Sequence, residues 1–167
     1  MPQDEYNYNY KENDYGDHLG KHKIFYRKDW GGKPPKNNTV QLKHPISLII
    51  ISHSATLSCD SFEECANLVK TIQTSHFSKP ILSLDIGYNF LIGGDGNIYV
   101  GRSWDIQNFH KKDSIGISFL GNFNFDKFTD DMIDAVRKLI RQGLELKILT
   151  DDYILVGENQ TNSKNVP

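Results

Sequence analysis

Residues 85–102 read DIGYNFLIGGDGNIYVGR and are the part of this sequence that says most about its fold. They contain two extended apolar runs, residues 88–93 and residues 97–102. The segment GDG between the runs, residues 94–96, supplies the glycines and the aspartate that tight turns favour. Two such runs joined by such a turn predict a β-hairpin.

Further strands are predicted on both sides of this hairpin. Residues 47–54 contain the apolar run LIII, which is too continuous for a strand with one face in water. This run favours a central strand that is covered on both faces. Residues 115–121 predict another buried strand, and residues 153–156 predict a short last one.

Two helices are predicted between these strands. Ser61 and Glu64 have the spacing of a capping box, and apolar residues at helical spacing continue to His76, which gives about four turns. Thr129, followed by two aspartates, begins the second helix, and Gly143 fits its C-terminal end. Because strands alternate with helices, we expect an α/β fold with a mixed central β-sheet flanked by helices.

Residues 1–23 differ in composition from the rest of the chain. They hold four tyrosines, five acidic and three basic side chains, and Leu19 is their one aliphatic residue after Met1. Such a segment buries too little apolar surface to offset the entropy lost on ordering it. We therefore expect a flexible polar arm or stem over residues 1–23 and a folded domain over residues 24–167.

The charge distribution excludes some classes of function. Outside residues 1–23 the acidic and basic side chains balance, and no stripe of lysine and arginine is present, so nucleic-acid binding is not expected. No apolar run reaches the ~18 residues of a membrane span, and the polar N-terminus does not resemble a signal peptide. Membrane attachment would need a segment outside this chain.

The two cysteines, Cys59 and Cys65, favour a local disulfide over a metal site. A zinc site needs closer spacing and further cysteines or histidines nearby. Two unpaired buried thiols are the alternative. A disulfide favours an oxidising, extracellular compartment. The glycosylation sequons at Asn37 and Asn159 agree with that compartment.

The histidines offer one candidate position at the end of a strand. His53 ends the predicted central strand, where α/β proteins commonly place site residues. His76 lies on the apolar face of the first helix and is interpreted as a core residue. No two histidines have the spacing of a metal pair. From these residues we predict a polar groove near His53, Tyr88, Trp104 and His110.

Residues 85–102 closely resemble the core signature of the peptidoglycan recognition proteins, animal relatives of zinc-dependent N-acetylmuramoyl-L-alanine amidases. Further blocks in the family's order extend the resemblance over residues 24–167: RKDWG at 27–31, the two cysteines, Ile72-Gln73 with His76, SIGISFLGNF at 114–123 and DYILVG at 152–157. The resemblance implies the amidase-like fold, the local disulfide and an L-shaped groove for the glycan and peptide of peptidoglycan.

The resemblance also implies where a catalytic relative would hold zinc. Amidases of the family use two histidines and a cysteine, and the matching positions here are Ser52, Glu158 and Val166. Neutral serine oxygen is a poor zinc ligand, and valine has no donor atom. Tyr88 matches the tyrosine that assists the amidase reaction, but it has no metal-bound water to assist. We expect no cofactor, no metal and no enzymatic activity.

The resemblance predicts which residues line the groove and which alter it. Positions that line the groove in relatives carry His53, Tyr88, Arg102, Trp104 and His110. Three positions depart from the family pattern: Ser103 replaces the glycine of a Gly-Trp pair associated with diaminopimelic-acid peptides, and Asn108 and Phe109 replace a Gly-Ala pair. A phenylalanine there adds bulk to the groove.

These residues predict a non-catalytic innate immune receptor domain similar to insect membrane-receptor ectodomains. It senses peptidoglycan directly, or it docks on a ligand-loaded partner domain of the same family as a homodimer or heterodimer. We expect an extracellular location, at the cell surface rather than free in solution. The alternatives are a decoy that regulates such receptors, and an amidase with substitute ligands such as His53 and Glu158.

Overall fold

The computed structural model describes residues 6–80 and 84–160, and these residues form an α/β fold. The strands, in chain order, are β1 His18–Leu19, β2 His22–Phe25, β3 Ile46–His53, β4 Phe90–Ile92, β5 Ile98–Val100, β6 Ile115–Phe119 and β7 Leu149–Gly157. The helices are α1 Arg27–Trp30, α2 Phe62–Phe77 and α3 Asp130–Glu145, and a 3-10 turn follows at Glu158–Gln160. Within the described residues, seven strands form one sheet in the order β1-β2-β5-β4-β6-β3-β7.

The sheet is mixed, and β3 is parallel to both of its neighbours. β3 pairs in parallel with β6 on one side and with β7 on the other, while β4 and β5 form the predicted antiparallel hairpin. Ile49 and Ile50, which point to opposite faces of β3, are both fully buried. One apolar cluster joins the sheet to α3, and a second joins the opposite face to α2. The predicted mixed sheet flanked by helices is confirmed.

The two long helices begin where the sequence predicts. The Ser61 hydroxyl accepts a hydrogen bond from the backbone N–H of Glu64, and the Thr129 hydroxyl accepts one from Met132. The predicted capping box is half-formed, because the Glu64 carboxylate accepts from the N–H of Asp60 rather than from that of Ser61.

The prediction that Gly143 ends the second helix is wrong. α3 continues to Glu145, and Gly143 lies in its last turns against the core. A Cβ at this position would lie 2.7 Å from Leu149 Cδ1 and 2.8 Å from Trp104 Cη2. Glycine is therefore required here, because two core side chains leave no room for a Cβ.

The last strand is longer than predicted. β7 covers Leu149–Gly157 rather than residues 153–156, and the exposed Asp151 and Asp152 lie within it. β7 is an edge strand, where polar side chains can face water without interrupting the pairing with β3.

The polar segment before Ile24 is packed on the domain over its described part, residues 6–23, which corrects the predicted boundary. β1 pairs with β2 and adds a strand to the sheet. The Tyr15 hydroxyl donates to the Asp105 carboxylate at 2.8 Å, and the Glu12 carboxylate accepts from the backbone of Arg27. Composition cannot predict these contacts, because their partners are distant in sequence. Residues 1–5 of the predicted arm lie outside the described residues.

Candidate functional site

A polar site lies where β3, β6 and β7 end at the same edge of the sheet. Ser52 on β3 is paired with Ser118 on β6, and Glu158 directly follows β7, whose Gly157 is paired with Ile51. Paired positions of parallel strands point to the same face, so Ser52 and Ser118 both point to the face that carries α2. Carboxyl ends of parallel strands are where α/β sheets commonly form binding sites.

Two further residues complete this site. The Nδ1 atom of His110 lies 3.6 Å from a carboxylate oxygen of Glu158. The ring of Tyr88 packs against the ring of His110, with 5.8 Å between their centroids. The central site is the name used below for Ser52, Tyr88, His110 and Glu158.

Burial dominates the electrostatics of the central site. The His110 side chain is only 6% exposed, whereas that of Glu158 is 42% exposed. Burial lowers the pKa of His110, and the negative charge of Glu158 acts in the opposite direction. Burial also raises the pKa of Tyr88, and the Glu158 charge adds to that rise. The site therefore favours neutral His110 and neutral Tyr88 beside one exposed carboxylate.

The donor atoms of the central site do not fit zinc. Zinc sites in proteins use at least three nitrogen, sulfur or carboxylate donors. Over residues 6–80 and 84–160, no group of three histidine, cysteine or acidic side chains is placed to hold a metal ion. The central site offers one imidazole, one carboxylate and the Ser52 hydroxyl, which has no hydrogen-bond partner among those residues. Val166, the third predicted substitution, lies outside them.

His53 does not line the central site, contrary to the prediction. Its Nδ1 accepts a hydrogen bond from the backbone N–H of Phe123 at 3.0 Å, and the two rings lie side by side. Side chains alternate along a strand, so His53 points away from the face to which Ser52 points. His53 and Glu158 are therefore not brought together as substitute metal ligands.

Arg102, Ser103 and Trp104 are buried rather than exposed in a groove, which corrects their predicted role. The Arg102 guanidinium donates to the carbonyls of Ile86 and Gln107, both at 2.7 Å. Trp104 is fully buried and its ring packs on Phe90. Ser103 is 4% exposed. Their polar groups are hydrogen-bonded or covered inside the domain. These three residues therefore hold the loop that precedes the central site.

Asn108 and Phe109 have different roles although they are neighbours. The Asn108 side chain, 2% exposed, accepts from the backbone N–H of His110 and donates to the carbonyl of Ser114. Asn108 therefore holds the His110 loop and adds no bulk to a groove, which corrects that prediction. Phe109 is partly buried, and its ring packs on those of Tyr88 and His110, so its predicted effect on the groove stays a prediction.

His76 and the disulfide are where the sequence predicts them. The Nδ1 of His76 accepts from the N–H of Gly87 at 2.9 Å, and the ring packs against Tyr88 and Phe109. Burial, with smaller contributions from Lys79 and Arg102, lowers the pKa of His76 to about 4. Cys59 and Cys65 form the predicted disulfide. Ser118 was missed by the sequence analysis, because its place beside Ser52 depends on the register between β3 and β6, which strand patterns alone do not give.

A separate cleft of about 640 Å³ lies away from the central site. It is an open cleft lined by residues of the N-terminal segment, of β2 and of α1. Arg27 lies in this cleft beneath the ring of Tyr10, at 5.3 Å from its centroid. None of the central-site residues lines it.

Comparison with known proteins relates these observations to a family. The family profile described as N-acetylmuramoyl-L-alanine amidase matches residues 42–167. The peptidoglycan-recognition protein SC1a/b of Drosophila simulans is 39% identical over 143 residues, which cover 83% of this chain and 76% of that protein. The chain belongs to the peptidoglycan recognition protein family.

Solved structures of peptidoglycan recognition proteins have the same fold. One shows tracheal cytotoxin bound to the ectodomain complex of the proteins LCa and LCx; its TM-score is 0.79 at 38% identity, with coverage of 84% of this chain and 87% of that chain. Another shows the protein LE in complex with tracheal cytotoxin, a monomeric diaminopimelic acid-type peptidoglycan; its TM-score is 0.79 at 34% identity, with coverage of 84% and 85%. Over the described residues of the present domain, every helix is too short or too polar to cross a membrane.

Proposed function

We propose that this peptidoglycan recognition domain recognises peptidoglycan fragments without hydrolysing them. The observation that carries the proposal is the composition of the central site. Ser52 and Glu158 occupy positions that the family resemblance assigns to zinc ligands, and Glu158 faces His110 at 3.6 Å. The central site therefore offers two strong metal-ligating groups, the His110 imidazole and the Glu158 carboxylate, where zinc needs at least three.

Hydrolysis by this family's chemistry needs an activated water, which a metal ion supplies when bound. Tyr88 has a pKa raised by burial, so its hydroxyl stays protonated and is a donor rather than a base. His110 is held against Glu158 with a ring that is almost fully covered. Neither residue generates a nucleophile by itself, and the Tyr88 hydroxyl acts as a hydrogen-bond donor.

Recognition through a partner domain is favoured by the packing of Phe109. Its ring contacts His110 with 3.9 Å between centroids and also packs on Tyr88 and His76. This packing takes up room that a bound sugar would need. The structure in which tracheal cytotoxin is bound to the ectodomain complex of LCa and LCx supports a route in which two family domains assemble with one ligand. The proposed role is that of an LC-type receptor isoform that does not bind ligand alone.

The proposed location is extracellular, as a cell-surface ectodomain that docks on a second peptidoglycan recognition domain. The disulfide between Cys59 and Cys65 supports an oxidising compartment. The relatives LCa and LCx are described as ectodomains, which supports the same location.

Calorimetry with a monomeric diaminopimelic-acid muropeptide tests recognition by either route. The protein is titrated alone and then together with a ligand-binding family member such as LE. We expect heat in at least one arrangement, and a ternary complex on size-exclusion chromatography for the partner route. No heat and no complex in both arrangements would contradict the proposal and favour the decoy function.

Metal content and amidase activity test the absence of hydrolysis. The purified protein is incubated with zinc and dialysed, its zinc is measured by mass spectrometry, and release of stem peptide from the muropeptide is followed. We expect substoichiometric zinc and no release. Stoichiometric zinc together with peptide release would overturn the non-catalytic assignment.

A further inference from the structure

One of the two glycosylation sequons lies directly beside the central site. Asn159 is exposed and belongs to the 3-10 turn Glu158–Gln160 that follows β7. Its neighbour Glu158 is the residue that faces His110. Successive Cα atoms are about 3.8 Å apart, so a group attached to Asn159 begins one residue from the central site.

We propose that Asn159 carries an N-linked glycan that covers the exposed side of Glu158 and limits access to the central site. The inference rests on the proposed extracellular location. The sequon Asn159-Gln160-Thr161 is complete in the sequence. The Asn159 Nδ2 attacks C1 of the first sugar of a lipid diphosphate-linked oligosaccharide. An N–C bond forms, the bond from C1 to the diphosphate oxygen breaks, and Nδ2 loses one proton as the lipid diphosphate leaves.

The position of Asn159 gives this modification a consequence that exposure alone does not. Glu158 is 42% exposed, so it is the accessible part of the central site, whereas the His110 ring is almost fully covered. A branched sugar chain is bulky and strongly hydrated. At this position it competes for space with a glycan ligand that approaches Glu158 and Tyr88. The modification therefore favours contact through a partner domain over direct binding.

Asn37 offers a matched control in the same chain. It is exposed, as Asn159 is, and lies in the sequon Asn37-Asn38-Thr39. The adjacent Lys36 bridges to Tyr6 and bonds the backbone of Leu84, near the N-terminal segment. A glycan at Asn37 starts from that segment rather than from the end of β7, so it does not cover Glu158.

The test uses the chain secreted from insect cells, with Asn159→Gln and Asn37→Gln as paired variants. Occupancy of each sequon is measured by glycopeptide mass spectrometry. Access to Glu158 is measured by carbodiimide labelling of carboxylates, with the exposed Asp151 of β7 as internal reference. We expect both asparagines to be occupied, and Glu158 labelling to rise several-fold in Asn159→Gln while it stays unchanged in Asn37→Gln. If Asn159→Gln is poorly secreted, Thr161→Ala removes the same sequon and keeps the asparagine.

The outcomes separate this proposal from the proposed function. An occupied Asn37 beside an unoccupied Asn159 would overturn the proposal and leave the proposed function unaffected. If neither asparagine is occupied, the proposal also fails, whereas the proposed function is tested separately by the muropeptide titration. An occupied Asn159 with equal Glu158 labelling in the paired variants would show that the glycan does not cover the central site, and the proposal would fail.

Discussion

Arg27 and Asp85 form a buried two-pronged ion pair in which both nitrogen–oxygen distances are 2.7 Å. Their side chains are 5% and 1% exposed. Arg27 comes from α1, and Asp85 begins the stretch that contains the β4–β5 hairpin. Gln73 of α2 donates to the same carboxylate at 3.2 Å, so one carboxylate links α1 and α2 to the start of this stretch.

Asp85→Ala should destabilise the domain strongly. It leaves the Arg27 guanidinium buried without its charge partner, and removal of one member of a buried pair costs about 3–5 kcal/mol. Chemical denaturation followed by circular dichroism measures the free energy of unfolding. Asp152→Ala, which removes an exposed carboxylate, is the control and should change stability by less than about 0.5 kcal/mol. Equal stabilities of the two variants would contradict the importance of this pair.

Phe109→Ala should create or increase affinity for a monomeric muropeptide. The change removes the ring that packs on Tyr88 and His110, and we expect an affinity gain of about tenfold, equivalent to about 1.4 kcal/mol. Calorimetry on the aglycosylated protein measures it. Phe125→Ala, which shortens a side chain that is 86% exposed elsewhere, should change nothing. If both variants bind as the wild type does, Phe109 does not obstruct the site.

Asn108→Gly should destabilise the domain without improving binding. The Asn108 side chain holds the backbone of His110 and Ser114, and loss of such buried hydrogen bonds costs about 1–3 kcal/mol. Thermal denaturation combined with the same calorimetry checks this. A stable variant with tighter binding would show that Asn108 obstructs the groove after all.

His76 should make stability depend on pH between about 4 and 6.5. Its pKa is lowered by burial to about 4, so below pH 6.5 the unfolded chain binds more protons and stability falls as the pH falls. The full pKa difference corresponds to about 3 kcal/mol. His76→Asn keeps an acceptor for Gly87 and removes the titration. The stability of the wild type should fall more steeply than that of the variant from pH 7 to pH 4, and parallel curves would disprove the assignment.

Gly143→Ala should destabilise α3, although alanine is the better helix former by about 1 kcal/mol. The added Cβ would meet Leu149 and Trp104 at under 3 Å, and overpacking of a core costs about 1–3 kcal/mol. Thermal denaturation shows whether the melting temperature falls, as expected, or rises. A raised melting temperature would mean that the core around Trp104 adjusts freely.

The sequence predicted those elements whose signals are local. The turn at residues 94–96 and the caps at Ser61 and Thr129 depend on neighbours a few residues away, and the structure has them as expected. The opposite faces of Ser52 and His53 also follow from strand alternation, so the misplacement of His53 was avoidable.

The burial of Arg102 and Trp104 was not predictable from local pattern. Arg102 is satisfied by carbonyls of Ile86 and Gln107, and Trp104 packs on Phe90 and Gly143. A polar or aromatic residue after a hairpin fits a surface as well as an interior. The choice between them is made by partners that come together through the tertiary fold.

The strand pairing before Ile24 has a practical consequence for anyone who expresses this domain. A fragment that starts at Ile24 would lack β1 and the first two residues of β2. It would also lack Tyr15 and its hydrogen bond to Asp105. Such a fragment would have an unpaired edge strand and an exposed Tyr26, and both favour self-association. Cloning boundaries for this protein belong upstream of Tyr6, where the described packing begins.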